Sequence, residues 1–409
     1  MSARRIIGAV VAALGIAGIV AAPVWKNKEV PNLVRFPNDL DVTPRYEGTV
    51  RVYLDPRTNT PLNPPQDIPL KVTRHLQSLK AVSTKQLVVI KETLTLSAPP
   101  LFDNVVQEHQ YVMDRRTMQN VDDPRAYAFT PANTVNRAGQ YRLAFPFDTV
   151  ATGYPVFKNE IGASYPVAPN GTATVEGLTV QKFKGQTEPQ AMTPAYLIAL
   201  DSIVKLPTDL TLDQAKPVLK ASGVDIDALL PALLPKLKPE DLPVLLALSK
   251  TPVALSYVLG FTGEDSVEPK TGSILQVSNV VETVSAFAGK DSLPKLKAVL
   301  DHYPDVPEAV AASKALTALA SRPIPVFENR FSQTAASVTD IAMTVKDQKN
   351  KRNLAEHTIP SALLAGGLAL AIIGLVLVLI PKRKRPAAPA STSVEGIAEA
   401  GEDLVEDRR

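Results

Sequence analysis

The apolar positions of this chain change period along its length. In "GTVRVYLD", Gly48 to Asp55, Val50, Val52 and Leu54 alternate with Thr49, Arg51 and Tyr53. That period of two is the pattern of a half-buried strand. The turn chemistry of "DPRTNTPLNPP" follows, and "LKVTRHLQSLKAV", "KQLVVIKETLTLSA", "EHQYVMDRRTMQNV" and "AGQYRLAFPFD" predict further strands. In "YPVAPNGTATVEGLTVQKFKG" the pair Asn170-Gly171 separates two β-rich arms and predicts a hairpin turn there.

Near Met192 the pattern turns helical. "LTLDQAKPVLKASG" and "DIDALLPALLPKLKPEDLPVLLALSKTPVALSYVLG" are rich in Leu and Ala. Pro231, Pro235, Pro239 and Pro243 cannot share one continuous helix, so several short helices are expected from about 208 to 260. Asp209, Asp213, Asp225 and Asp241 stand at candidate early-turn positions. "EPKTGSILQVSNVVETVSAF" returns to strand character, "DSLPKLKAVLDHY" and "VPEAVAASKALTALA" read as helices, and "NRFSQTAASVTDIAMTV" is expected to close the sheet. "LDPRTNTPL" and "VEPKTGSIL" share an acidic-Pro-basic-Thr turn, which common turn chemistry explains without a repeat.

Both ends carry uncharged apolar runs. Ser361 to Ile380 lies between Pro360 and Pro381, and about 1.5 Å per residue gives it about 30 Å, the thickness of a bilayer core. Gly366, Gly367 and Gly374 within it suit close helix packing in a membrane. Ile6 to Val24 is the second run. Arg4 and Arg5 precede it, and Lys382, Arg383, Lys384 and Arg385 follow the other. Cationic flanks stay cytoplasmic, which predicts cytoplasmic termini, an inner (plasma) membrane location and an extracytoplasmic segment 25–358, with Trp25 at the interface. Small residues at Ala21 and Ala22 also fit a cleaved signal peptide; Pro23 and the length of the run favour a retained anchor.

The expected organisation is a basic start (1–5), a first span (6–24), the extracytoplasmic domain (25–358), a second span (361–380) and a disordered cytoplasmic tail (381–409). The fold class is α+β. The domain is β-rich over 45–192 and 266–348, as a sandwich or open barrel, with a helical insertion at about 205–262 and helices at about 291–321.

Composition narrows the chemistry. With 0 Cys there is neither a disulfide framework nor a thiolate metal site, and a net charge of +3 gives no ground for a nucleic-acid partner. His75, His109, His302 and His357 lack zinc spacing. "GASYP" has Pro166 where a nucleophile elbow needs Gly, and no P-loop is present. The pairs Asp122/Asp123 and Asp225/Asp227 read as turn and helix-start residues, although sequence spacing leaves carboxylates that meet in space untested. These features predict a protein that is not an enzyme and uses no cofactor. Tyr141, Phe145, Phe147, Tyr154, Phe157, Tyr165 and Phe183 concentrate in the strand region. They read as ordinary core or, with the Leu- and Val-rich helices, as the lining of an apolar cavity. Phe145, Phe147, Tyr154, Phe157, Tyr165 and Phe183 are the candidate lipid-binding residues, since each buried CH₂ of an acyl chain contributes roughly 0.8 kcal/mol.

"YVMDRRTMQNV", "FPFDTVATGYPVFKNEIGASYP" and "VEGLTVQKFKG", with the two spans, make the chain resemble the actinobacterial porin-PorA-like family. The resemblance implies a mycolate-type envelope. It implies a role in envelope assembly and polar growth, in handling trehalose mycolates or lipoglycan precursors, alongside a lipid exporter or synthase. A barrel pore crosses lipid with strands, whereas the terminal runs here predict helices. Three functions stay open: a membrane-anchored lipid- or glycolipid-binding protein, a scaffold of the elongation machinery that binds no lipid, and an envelope glycosyl- or acyltransferase.

Overall fold

The computed structural model describes residues 3–55, 58, 60–288 and 292–380. Lys382, Arg383, Lys384 and Arg385 and the expected tail lie outside them. In chain order, α1 (Ala3–Val24) is followed by a π-helical turn (Trp25–Glu29) and α2 (Val30–Leu33). The strands β1 (Asp41–Val42), β2 (Arg45–Leu54), β3 (Pro61–Ser78), β4 (Leu87–Ala98), β5 (Phe102–Asp114), β6 (Tyr127–Thr134), β7 (Tyr154–Lys158), β8 (Ala163–Val175) and β9 (Leu178–Ala191) come next. Then come α3 (Pro194–Asp201), β10 (Asp209–Leu210), α4 (Leu212–Ala221), α5 (Ile226–Leu233) and α6 (Leu242–Lys250). After β11 (Val253–Glu268) and β12 (Ser273–Ala288), α7 (Ser292–Leu300) and α8 (Pro307–Ser321) precede β13 (Ile324–Gln333). The chain continues as α9 (Ala335–Asn353), a π-helical turn (Leu354–Thr358) and α10 (Ile359–Leu379). Two units result, a domain, Asn27–Thr358, and a helical unit drawn from 3–26 and 359–380.

The domain is built on one antiparallel sheet in the order β6-β5-β4-β3-β2-β13-β12-β11-β9-β8-β7, with β1 on β3 and β10 on β11. It is a curled half-barrel, so of the two expected architectures the open barrel is the one present, not a sandwich. Period-two patterning sets its inner face: β2 buries Tyr46, Val50 and Val52 and turns Glu47 and Arg51 outward. Gly48 shares that face because a Cβ there would lie 1.8 Å from the Arg330 carbonyl of β13. The first long strand and the last are neighbours, with Tyr46 opposite Gln333, and the Thr334 amide donates to the Arg45 carbonyl at 2.9 Å. The two sheet ends are joined by backbone bonds through the segment between β6 and β7. Asn120 bridges Met113 of β5, the Asn120 amide donates to Gln140 at 2.9 Å, and Tyr141 bridges Val156 of β7.

Several expectations change. The hairpin turn joining β8 and β9 is at Glu176-Gly177, where φ is 49° and 75° and Val175 pairs with Leu178. Positive φ at both central residues gives a turn whose twist matches the strands. Asn170-Gly171 instead falls at a register shift within that pair, a bulge with Gly171 at φ 88°. "AGQYRLAFPFD" makes isolated bridges rather than a strand. The end of the expected 205–262 insertion, from Val253, is strand, because β9 and β12 supply its backbone partners on both sides and outweigh its Leu and Ala content. Helix also begins earlier than expected, at α3, where the Thr193 side chain accepts from the Tyr196 amide. The β-rich reading of 266–348 fails after Gln333: the Thr334 side chain accepts from the Ser337 amide and starts α9. Asp209 lies in β10, and α4 is started by a capping box of Thr211 and Gln214.

In the helical unit α1 and α10 lie antiparallel in close contact. A Cβ on Gly15 would stand 2.2 Å from the Ala371 amide nitrogen, and one on Gly374 would stand 2.3 Å from that of Ala12. The two helices bury Gly8, Gly15, Ala22, Gly367 and Gly374, while Leu14, Ile16, Leu368 and Leu375 face outward. Both helices are long and apolar enough to cross a membrane. Arg4 and Arg5 are exposed at the start of α1, and Trp25, just after it, is half-buried.

Candidate ligand cavity

The concave face of the half-barrel and the helices packed beside it enclose a cavity of about 220 Å³. Strand alternation supplies its apolar wall: Val50 and Val52 from β2, Leu70 and Val72 from β3, Leu94 and Leu96 from β4. Leu200 of α3, Val218 and Leu219 of α4 and Leu319 of α8 add to it, with Leu255 and Phe327 from the sheet.

The same inward rows become polar further along. On β3 the row runs Leu70, Val72, Arg74, and on β4 it runs Leu96, Leu94, Glu92, with Val72 opposite Leu96 and Arg74 opposite Leu94. Tyr46 of β2 pairs with Val72, and Asp265 on β11 belongs to the same polar group. Arg142, Lys158 and Glu160 join it from the segments around β7. The cavity is therefore aliphatic at one end and charged at the other.

Arg74 and Glu92 form a buried ion pair, and the Tyr111 hydroxyl donates to Glu92 Oε2 at 2.7 Å. Burial favours the neutral Glu92 acid, but Arg74, His109, Arg142 and that hydrogen bond prevail and hold the carboxyl well below the usual range. The Asn159 side-chain amide donates to the Tyr111 hydroxyl at 2.8 Å, and Arg137 Nε donates to Asn159 Oδ1 at 3.0 Å. Burial pushes His109 down to about 4, so its ring is neutral, and the Phe129 amide donates to its Nδ1 at 3.2 Å. Lys158 Nζ, itself buried, lies 2.7 Å from Glu282 and 3.3 Å from Glu160. Burial pushes the Asp265 carboxyl up to about 6 against the pull of Arg142 and Arg74.

Of the expected lipid-binding aromatics, Tyr165 lines the cavity. Phe145, Tyr154 and Phe183 pack against one another and Tyr141, with Phe145 stacked on Phe183 at 5.0 Å between ring centres and Tyr154 edge-on to Phe183 at 5.6 Å. That cluster is filled core. Phe157 lies under the Arg137 guanidinium at 5.5 Å and Phe147 under that of Arg352 at 4.9 Å. Tight ring packing leaves these five no surface on the cavity. The sequence reading missed Arg74, Glu92, Arg142 and Asp265. Three of the four carried a signal, a charge in an inward slot of an alternating strand.

The other candidates are accounted for locally. Asp225 caps α5, Asp123 pairs with Arg125 at 2.7 Å, and Ser164 sits in β8 opposite Phe157. His75 and His302 contact Asp41 and Asp241 at 2.8 and 3.0 Å. Among the described residues no group of His, Asp and Glu is arranged to hold a metal ion.

An antiparallel half-barrel with an interior cavity, in a chain with two apolar terminal helices, defines a membrane protein with a β-rich domain. The chain belongs to the Porin PorA family, whose pattern matches residues 7–376. No curated protein matches it.

Proposed function

We propose that this is a membrane-anchored envelope protein whose half-barrel binds the acyl part of an envelope amphiphile and helps move it. The observation that carries this reading is the joining, in one cavity, of an aliphatic wall to a charged end. Such a site holds a hydrocarbon tail and orients a polar head. The protein carries its ligand and does not transform it. The family resemblance supplies the cargo to try first, trehalose mycolates and lipoglycan precursors, and an exporter or synthase as the partner. The anchors are retained in this reading, with both termini cytoplasmic and the domain outside the inner membrane.

The test is native mass spectrometry of the full-length protein, purified in amphipol from a mycolate-producing host, followed by lipid extraction. A stoichiometric acyl-chain ligand is expected. An apo mass that stays unchanged after delivery of trehalose mycolates, lipoglycan precursors and simple fatty acids would overturn the reading. The scaffold alternative then gains from α6, which buries none of its residues and exposes Leu242 and Leu246.

A further inference from the structure

The charged end of the cavity holds one cation without a partner. Arg74 is matched by Glu92, and Lys158 by Glu160 and Glu282. Arg137, behind them, donates to Asn159 and to the Gln110 and Tyr127 carbonyls. Arg142 lines the same cavity, and among the described residues its guanidinium has no hydrogen-bond or ion-pair partner, with Nε fully buried. Asp265 is the acid in the same position: it lines the cavity and has no such partner among the described residues. The two do not satisfy each other, since no ion pair joins them within 4.0 Å.

An uncompensated buried charge is costly, and a guanidinium fork matches a carboxylate with two parallel hydrogen bonds. Resting on the amphiphile reading above, we infer that the preferred occupant is a long-chain carboxylic acid, its carboxylate paired with Arg142 and its chain along the aliphatic wall. A neutral head leaves Arg142 uncompensated. A phosphate dianion brings a second negative charge toward Glu92, Glu160, Glu282 and Asp265. A single carboxylate balances the one free cation.

Asp265 then couples binding to pH. The charged and titratable groups that act on it are Arg142, Arg74, Tyr165 and Tyr46, and its neighbours on the paired strands, Phe183 and Val277, are uncharged. An arriving carboxylate raises its proton affinity further, so binding takes up a proton and tightens as pH falls from 8 to 6.

The experiment uses the delipidated full-length protein in amphipol, with a fluorescent polyene fatty acid displaced by palmitate, methyl palmitate, dodecyl phosphate or dodecyl glucoside. Palmitate is expected to bind about 10- to 100-fold more tightly than its methyl ester, the loss typical of one hydrogen-bonded charge pair. Arg142→Gln brings palmitate down to the ester's level and leaves the ester unchanged, which also shows that the variant is folded; Arg142→Lys recovers part of the difference. Glucoside or ester binding as tightly as palmitate overturns the carboxylate while leaving the amphiphile cavity standing. Phosphate binding more tightly than palmitate also overturns it. Failure of every compound to displace the probe sinks both.

Discussion

The helix pair and the half-barrel distribute their apolar groups in opposite senses. Between α1 and α10 the buried positions are glycine and alanine, and the large side chains point outward, Leu14 at 60% and Leu379 at 67% exposure. The half-barrel buries its large side chains and turns Glu47, Arg51 and Lys71 away from them. Each unit has its apolar groups facing the medium or core that accepts them. In lipid, apolar side chains gain nothing by turning inward, so packing is left to backbones brought close by small residues. In water, burial of large side chains is the driving term. The contrast extends to charge: the described part of the pair carries Arg4 and Arg5 at one end, whereas the half-barrel buries an ionised network.

The largest expected effect is on that network. Glu92→Ala leaves Arg74 buried without its partner and is expected to cost about 3–5 kcal/mol, read as a lower unfolding midpoint of the domain. An unchanged midpoint would show that the interior is open to water, removing half of the contrast. Gly15→Ile attacks the other unit. Its Cβ has no room against α10, and overpacking costs typically about 1–3 kcal/mol. Resistance of the helices to SDS is expected to fall while the domain's near-ultraviolet circular dichroism stays the same.

Asp265→Asn sharpens the comparison in the opposite direction. Burial holds this carboxyl at about 6, above its ordinary 3.8, so the folded state binds the proton more tightly than the unfolded one. The destabilisation is absent below the ordinary value, grows as pH rises, and is complete above about 6. The variant is therefore expected to be more stable than wild type by up to about 3 kcal/mol at pH 7.5 and equal to it near pH 3.5. Glu92, held low, works the other way, losing its contribution as acid protonates it. Urea unfolding at the two pH values separates them, and a gain that persists at low pH would refute the assignment to Asp265.

The smallest effect is at the β8–β9 turn. Gly177→Ala meets no atoms within 4 Å of its new Cβ but keeps a positive φ, so a loss of about 1 kcal/mol is expected from backbone strain alone. A loss several times larger would point to a packing role for the turn.

The strands were legible wherever one face met the core, as in Val50, Val52 and Leu54 against Arg51 and Tyr53. The apolar runs were equally plain. The position of the hairpin turn was not, because Asn170-Gly171 and Glu176-Gly177 are both competent for positive φ, and only the pairing of Val175 with Leu178 decides between them. The cavity was partly legible. Arg74 follows Val72 and Glu92 follows Ile90 in their inward rows, and a charge in such a slot faces an interior that must satisfy it. Arg142 gave no such signal, since it lies between strands and its environment is made by residues distant in sequence. The aromatic set misled because a ring that fills a core and one that lines a cavity look the same in sequence; Phe145 and Tyr165 differ in what the fold puts beside them.

The adjacency of β2 and β13 has a consequence for how this domain is handled as a module. Entry at Arg45 and exit at Gln333 are opposite ends of one strand pair, sealed by the bond from Thr334 to Arg45. A domain whose ends meet in this way is portable: it fits into a surface loop of another protein without stretching its host, and its own ends can be linked and new ones cut elsewhere.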